Sequence, residues 1–364
     1  MDLELLDSTL AEMGEPAFRA KQVWEWAARG AASYDEMTNL PEGLRAALSE
    51  RVPLSSLSVE HEALASDGTE KALFHTADGR PLETVLMRYR GSKDSASMPN
   101  PSRGRRSLCL SSQSGCPLTC TFCATGTMAF GRNLSASEIL DQALHFRRKE
   151  PVDHVVFMGM GEPLLNLDGV LGACERLPEI GIHPSSTTIS TVGWIPGIDR
   201  LTERDGPTIR LALSLHAPDD ALRSELMPVN DRYPLADVLD ACRRWHEVRK
   251  RKVYLEYLML EGVNDSPEQA VALAALLEPR GAFKVNLIPY NPTDSGFEGS
   301  GREAIATFRE ALEKRGVPAT VRLTRGRDIH AACGQLAASA KAGSSDGPAG
   351  PAASDRRRGA AATA

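Results

Sequence analysis

Three cysteines fall within eight residues, Cys116, Cys120 and Cys123, in the run Ser112-Gln-Ser-Gly-Cys116-Pro-Leu-Thr-Cys120-Thr-Phe-Cys123. Their spacing is Cys-x3-Cys-x2-Cys. Thiolates this close are soft metal ligands and read as a metal site rather than a disulfide framework. A structural zinc wants a fourth ligand, usually with its cysteines paired as Cys-x2-Cys. No fourth Cys or His lies nearby with a ligand-like gap. A four-iron cubane accepts a trio: three irons take one thiolate each, and the fourth is left open. A zinc knuckle with a distant fourth ligand is the competing reading.

The elements that must hold this loop follow from the hydrophobic pattern. From Ser107 onward, strand and helix patterns alternate. Strands are predicted at 107–111, 152–158, 186–191, 209–215, 253–260 and 283–289. Runs such as Val-Asp-His-Val-Val-Phe-Met are nearly all apolar, as parallel strands buried on both faces require. Ser135-x-x-Glu138 is a capping-box signature ahead of Ile139, Ala143 and Phe146, and 237–248 and 267–277 are similarly periodic. Six βα units predict an α/β fold: a partial (βα)6 barrel over 107–340. The unusual residues then gather at the carboxyl ends of the strands, where barrels build active sites. They are the cysteine loop, Gly159-Met-Gly161-Glu162-Pro163, Ser190-Thr191, Ser214-Leu215-His216 and Asn291.

Ahead of the barrel, 1–50 reads as a small helical accessory domain, with Pro16 opening one helix and Gly30 closing it. A β-rich connector follows at 51–106, with strands at 57–64, 71–75 and 81–89 and turns at Asp67-Gly68 and Asp78-Gly79. Glu83 lies near the start of the third strand, and its pattern alone reads as an exposed carboxylate. The 91–106 stretch is polar and reads as flexible, and 341–364 as a disordered tail. With 42% hydrophobic and 25% charged residues the 364-residue chain is globular. A net charge of -6 argues against broad non-specific nucleic-acid binding but allows a local basic face. Arg103, Arg105 and Arg106, then Arg243 to Lys252, then Arg322, Arg325 and Arg327, are basic clusters whose plain reading is solvated surface. No apolar run approaches about 18 residues, and no signal peptide is evident. Seven cysteines, three of them in a ligand cluster, fit a reducing compartment. The expectation is a cytoplasmic protein with no membrane association. Cys174 and Cys242 fall in predicted helices and read as buried structural thiols.

The cysteine loop resembles the signature of the radical-SAM superfamily, with Phe122 ahead of the third cysteine. The cofactors so implied are a 4Fe-4S cluster and S-adenosylmethionine. More narrowly, Ser112-Gln113-Ser114-Gly115-Cys116, Gly159-Met-Gly161-Glu162-Pro163-Leu-Leu-Asn166, Ser214-Leu-His216-Ala-Pro218, Asn286-Leu-Ile-Pro-Tyr-Asn291-Pro and Asp328-x-x-Ala-Ala-Cys333-Gly-Gln-Leu are similar to the radical-SAM RNA adenine carbon-2 methyltransferases. The likeness runs from about Met13 to Leu336. Gly14-Glu15-Pro16 with Arg19-Ala20-Lys21-Gln22 resembles that family's RNA-contacting accessory domain.

The resemblance implies roles position by position. Cys116, Cys120 and Cys123 would hold the cluster. Gly161 and Glu162 would meet the amino group of S-adenosylmethionine, and Ser190, Ser214, Leu215, His216 and Asn291 the rest of it. Cys333 would carry the methyl group, Cys109 would later pair with Cys333 in a transient disulfide, and Glu83 or Cys109 would accept the ring proton. Carbon 2 of adenine lies between two nitrogens and is too electron-poor to attack a sulfonium methyl, so a radical route is needed and the cofactors supply it. The substrates implied are 23S rRNA and tRNA, with the adenine out of its stack, and an electron donor such as flavodoxin or ferredoxin. Two alternatives stand beside this reading: a carbon-8 methyltransferase on the same scaffold, and a zinc-stabilised RNA-binding module without catalysis.

Overall fold

The computed structural model describes residues 1–89 and 104–337. The polar stretch expected at 91–106 lies mostly, and the tail expected at 341–364 wholly, outside them.

Three helices open the chain, α1 (Leu3–Glu12), α2 (Phe18–Arg29) and α3 (Glu42–Arg51). The Asp2 side chain caps α1 by accepting from the amides of Glu4 and Leu5, a cap worth about 1 kcal/mol. Helix α2 stops at Gly30, whose φ of 103° is left-handed, a turn that suits glycine.

Strands β1 (Leu57–Leu64), β2 (Glu70–Thr76) and β3 (Pro81–Tyr89) form an antiparallel meander. Strand β4 (Arg105–Cys109) pairs antiparallel with β3, Cys109 opposite Val85. Meander and barrel therefore form one sheet. The strand predicted at 107–111 starts and ends two residues earlier; beyond it the amides of Leu110 and Ser112 donate to the carbonyls of Val156 and Met160. A short ribbon, β5 (Gln113–Ser114) with β6 (Arg132–Asn133), closes the two ends of the cysteine loop.

The remaining chain alternates as expected: α4 (Ala136–Lys149), β7 (His154–Phe157), α5 (Leu167–Arg176), β8 (Thr187–Thr191), α6 (Ile195–Glu203), β9 (Arg210–Ser214), α7 (Asp220–Leu226), α8 (Leu235–Arg249), β10 (Val253–Met259), α9 (Pro267–Leu276), β11 (Phe283–Pro289), α10 (Arg302–Glu313) and β12 (Ala319–Val321). The capping box at Ser135 and Glu138 is formed. Strands β4, β7, β8, β9, β10, β11 and β12 are all parallel, in that order, and the sheet does not close on itself. The sequence predicts six barrel strands; β12 is a seventh. Three residues are too few for a hydrophobic period to show. Every crossover between parallel strands carries a helix. Ile139 and Phe146 of α4, Val170 of α5, Leu201 of α6 and Trp245 of α8 join strand residues in a single core. Among the described residues, no helix is long and apolar enough to cross a membrane.

Candidate active site

The cysteine loop sits at the carboxyl end of β4, and the ribbon β5–β6 fixes where it leaves and returns. Gly115 has a φ of 74°, and a Cβ there would meet the Ala129 carbonyl oxygen at 2.4 Å. Only glycine lets the loop fold this closely. Phe122 meets the His216 ring edge-on, centroids 4.9 Å apart, and Cys120 and Phe122 pack against the apolar cluster of Leu226, Leu258, Ile288 and Tyr290. The Thr121 amide donates to the Leu226 carbonyl at 3.0 Å. Loop and barrel rim are thus one packed unit.

Behind the loop lies a cavity of about 150 Å³. Cys123, Gly161, Glu162, Ser190, Ser214, His216 and Cys333 line it, each predicted from sequence. Glu162 is buried. Its carboxylate accepts from the amides of Leu164 (3.0 Å) and Val192 (2.9 Å), and its own amide donates to the Gln113 side chain at 2.8 Å. Burial pushes the Glu162 carboxyl up to about 7, against the pull of those amides and the Thr191 hydroxyl. A carboxylate so poised gains from a cationic ligand. Gly161 has a φ of 95°, and a Cβ there would lie 2.5 Å from the Gln113 side chain.

His216 is buried with a φ of 60°. Its Nδ1 accepts from the Leu258 amide at 3.0 Å, so the neutral ring carries its proton on Nε2. Burial, aided by the Arg223 charge, lowers its pKa to about 3. Arg223 is itself fully buried. Its guanidinium donates to the carbonyls of Leu215, Val192 and Ser214 and to the Asn230 side chain, at 2.6–3.1 Å. It ties together the chain leaving β8 and β9. Leu215 is wholly buried and does not line the cavity; its backbone is part of this clamp.

A second, smaller chamber of about 30 Å³ adjoins the first. Cys109 and Asn291 line it, and Cys333, Met158, Ile288 and Arg322 line both. Cys333 thus stands between the two chambers. Burial, then the neighbouring Cys333, push the Cys109 thiol up to about 12, opposed by Arg322 and the Met158 amide. The implied disulfide between Cys109 and Cys333 is not formed here: all seven cysteines are free. Arg322 is not the solvated surface charge its cluster implied. It donates to Glu256 at 3.0 Å and to the Met158 sulfur at 3.2 Å.

Glu83 is 0% exposed, not the exposed carboxylate its pattern implied. The fold overrides the strand pattern because the chain segment ending at Ala337 and the Lys71 side chain lie against the face of β3 that carries Glu83. Its carboxylate pairs with Lys71 at 2.7 Å and accepts from the Ala337 amide at 3.0 Å. It lines neither chamber. Asn291 lines the smaller chamber and ties the Cys333 segment to the rim: it donates to the Cys333 carbonyl at 3.3 Å and accepts from Arg327 at 3.0 Å. Sequence reasoning missed Gln113, Arg223, Lys71 and the depth of Arg322. Only a buried position marks them out, and no local period encodes it.

Residues 110–274 match the family model of the Radical SAM superfamily, and residues 1–54 match that of the ribosomal RNA large subunit methyltransferase N-terminal domain. A probable dual-specificity RNA methyltransferase RlmN of Heliobacterium modesticaldum is 45% identical, over 93% of this chain and 88% of that protein. The chain belongs to this family of radical-SAM RNA methyltransferases. The RlmN of Anaeromyxobacter dehalogenans is 43% identical over 99% of this chain and 94% of its own length. The crystal structure of a radical SAM methyltransferase from Sphaerobacter thermophilus aligns with a TM-score of 0.83 at 42% identity, covering 93% of this chain and 98% of that one. Radical SAM enzymes use a 4Fe-4S cluster and S-adenosylmethionine.

The cysteine loop fits such a cluster. Burial is the largest cause raising the Cys116 and Cys120 thiols, Cys116 to about 12, and the neighbouring thiols add to it. Cys116 and Cys120 thus favour a cationic metal centre beside them, which makes coordinating thiols give up their protons.

Proposed function

We propose that the protein methylates carbon 2 of one adenosine in 23S rRNA and of the adenosine beside the tRNA anticodon, carrying the methyl group on Cys333. The observation that carries this reading is the place of Cys333, shared between a chamber faced by Cys123 and a chamber faced by Cys109. A carrier thiol must reach both the radical source and the thiol that frees the product.

Cys116, Cys120 and Cys123 would hold the cluster. The bound cluster and S-adenosylmethionine supply one-electron cleavage that yields a carbon radical. Glu162 would accept hydrogen bonds from the amino group of S-adenosylmethionine, with the Gly161 backbone beside it. Ser190, Ser214 and the Nε2–H of His216 offer polar contacts from the same wall. Phe157, Leu258 and Ile288 give the same cavity an apolar wall around Cys333. Cys109 would form a transient disulfide with Cys333, and Cys109, which faces the chamber, or the buried Glu83 behind it would take the ring proton. The helical segment 1–50 would contact RNA, a ferredoxin or flavodoxin would supply electrons, and the site of action would be the cytoplasm.

The test is expression in a host that lacks this methylase, with mass spectrometry of both RNAs. 2-Methyladenosine in 23S rRNA and in tRNA is expected. 8-Methyladenosine, or unmodified RNA, would overturn the assignment.

A further inference from the structure

The Lys71–Glu83 pair is buried, its members 5% and 0% exposed. Lys71 lies on β2 opposite Val85 of β3, so Glu83 is its diagonal neighbour on the same face. Their contact of 2.7 Å neutralises two charges that would each be costly alone in a dry interior. Neither residue lines the cavities. Each instead bonds the segment that carries Cys333, on opposite sides of it. The Lys71 ammonium donates to the His330 carbonyl at 3.3 Å, three residues before Cys333. The Glu83 carboxylate accepts from the Ala337 amide at 3.0 Å, four residues after it. His330 holds a φ of 51°, a conformation that a non-glycine residue keeps only when its surroundings impose it.

We propose that Lys71 is a positioning residue for methyl transfer: it holds Glu83 in place and, through His330, fixes one end of the segment that presents Cys333. This rests on the reading of Cys333 and Glu83 given above. Lys71 itself exchanges no proton or methyl group. Its loss removes the cation 2.7 Å from the buried Glu83 carboxylate and the donor to the His330 carbonyl, so the Cys333 segment loosens at both ends. A methyl group on a misplaced sulfur is poorly aligned for hydrogen removal, and the cofactor is then cleaved without RNA product.

The test uses reconstituted full-length enzyme with Lys71→Met and Lys71→Arg. The readouts are the ratio of 5′-deoxyadenosine released to RNA methylated and, in the protein without cofactors, hydrogen exchange at the Ala337 amide. For Lys71→Met the ratio should rise at least about tenfold and Ala337 should exchange about tenfold faster. Lys71→Arg should restore part of the coupling. A Lys71→Met enzyme that loses both activities in proportion, or keeps the wild-type ratio, would overturn the proposal. Wild-type enzyme that methylates no RNA would instead overturn the functional reading on which it rests.

Discussion

The Ala124 amide donates to the Gly334 carbonyl at 2.8 Å, so the residue after Cys123 is bonded to the residue after Cys333. Two segments more than 200 positions apart in sequence share this bond, and the Thr125 hydroxyl adds a second, to the Leu336 carbonyl at 2.7 Å. The cysteine loop and the segment that bears Cys333 are therefore one mechanical unit. Preorganisation of this kind matters because small misplacements of reacting groups are expensive.

Cys333→Ala and Cys109→Ala should each abolish RNA methylation while leaving iron and sulfide content unchanged. The destabilisation should be small, within about 2 kcal/mol. Iron analysis and product mass spectrometry check this. A variant at either position with wild-type turnover would contradict the two-thiol scheme.

Asn291→Ala should loosen Cys333 without touching the cluster. The buried amide bridges the Cys333 carbonyl and Arg327, and losing it should cost about 1–3 kcal/mol. Turnover should fall at least about tenfold, with the KM for S-adenosylmethionine unchanged. A raised KM alone would return Asn291 to the role of cofactor contact that the sequence implied.

The cofactor-free protein should lose stability as pH rises through the range of Glu162. Its carboxyl is raised from 4.5 to about 7 by burial, so the folded state keeps a proton that the unfolded chain gives up first. The stabilisation is complete below pH 4.5 and falls as pH approaches 7, by on the order of 3 kcal/mol. Urea unfolding at about pH 5 and pH 8 measures it. Glu162→Gln should flatten this part of the profile.

His216 should stay neutral from pH 5 to 8, because burial lowers its pKa to about 3. Nitrogen NMR of the ring should show one tautomer, protonated on Nε2, throughout. A titration near pH 6.5 would mean that the ring is not held against the Leu258 amide.

Much of this site could be read from the sequence because its parts are local. The cysteine spacing, the glycines at 159 and 161, and the strand-end Ser190, Ser214 and His216 are short signals, and the fold gathers the glycines, the strand-end residues and Cys123 at one cavity. Cys174 and Cys242 are buried in α5 and α8, as their helical setting predicts. What stayed hidden depends on pairing across the chain. Glu83 looked exposed because nothing in β3 says that the chain 254 positions later will cover its face, where the Ala337 amide meets the carboxylate. Arg322 looked like surface because its partner Glu256 lies 66 positions away, on β10. Arg223 is a cation in a helical period, and nothing local says that three strand-end carbonyls and an asparagine await it.

The most direct test follows the methyl group. Anaerobically reconstituted enzyme is given S-adenosylmethionine with a labelled methyl, a strong reductant and RNA, and its peptides are analysed by mass spectrometry. The account predicts label on the peptide that contains Cys333, and on no other cysteine, before it reaches adenine. RNA that gains the label while Cys333 never carries it would contradict the account.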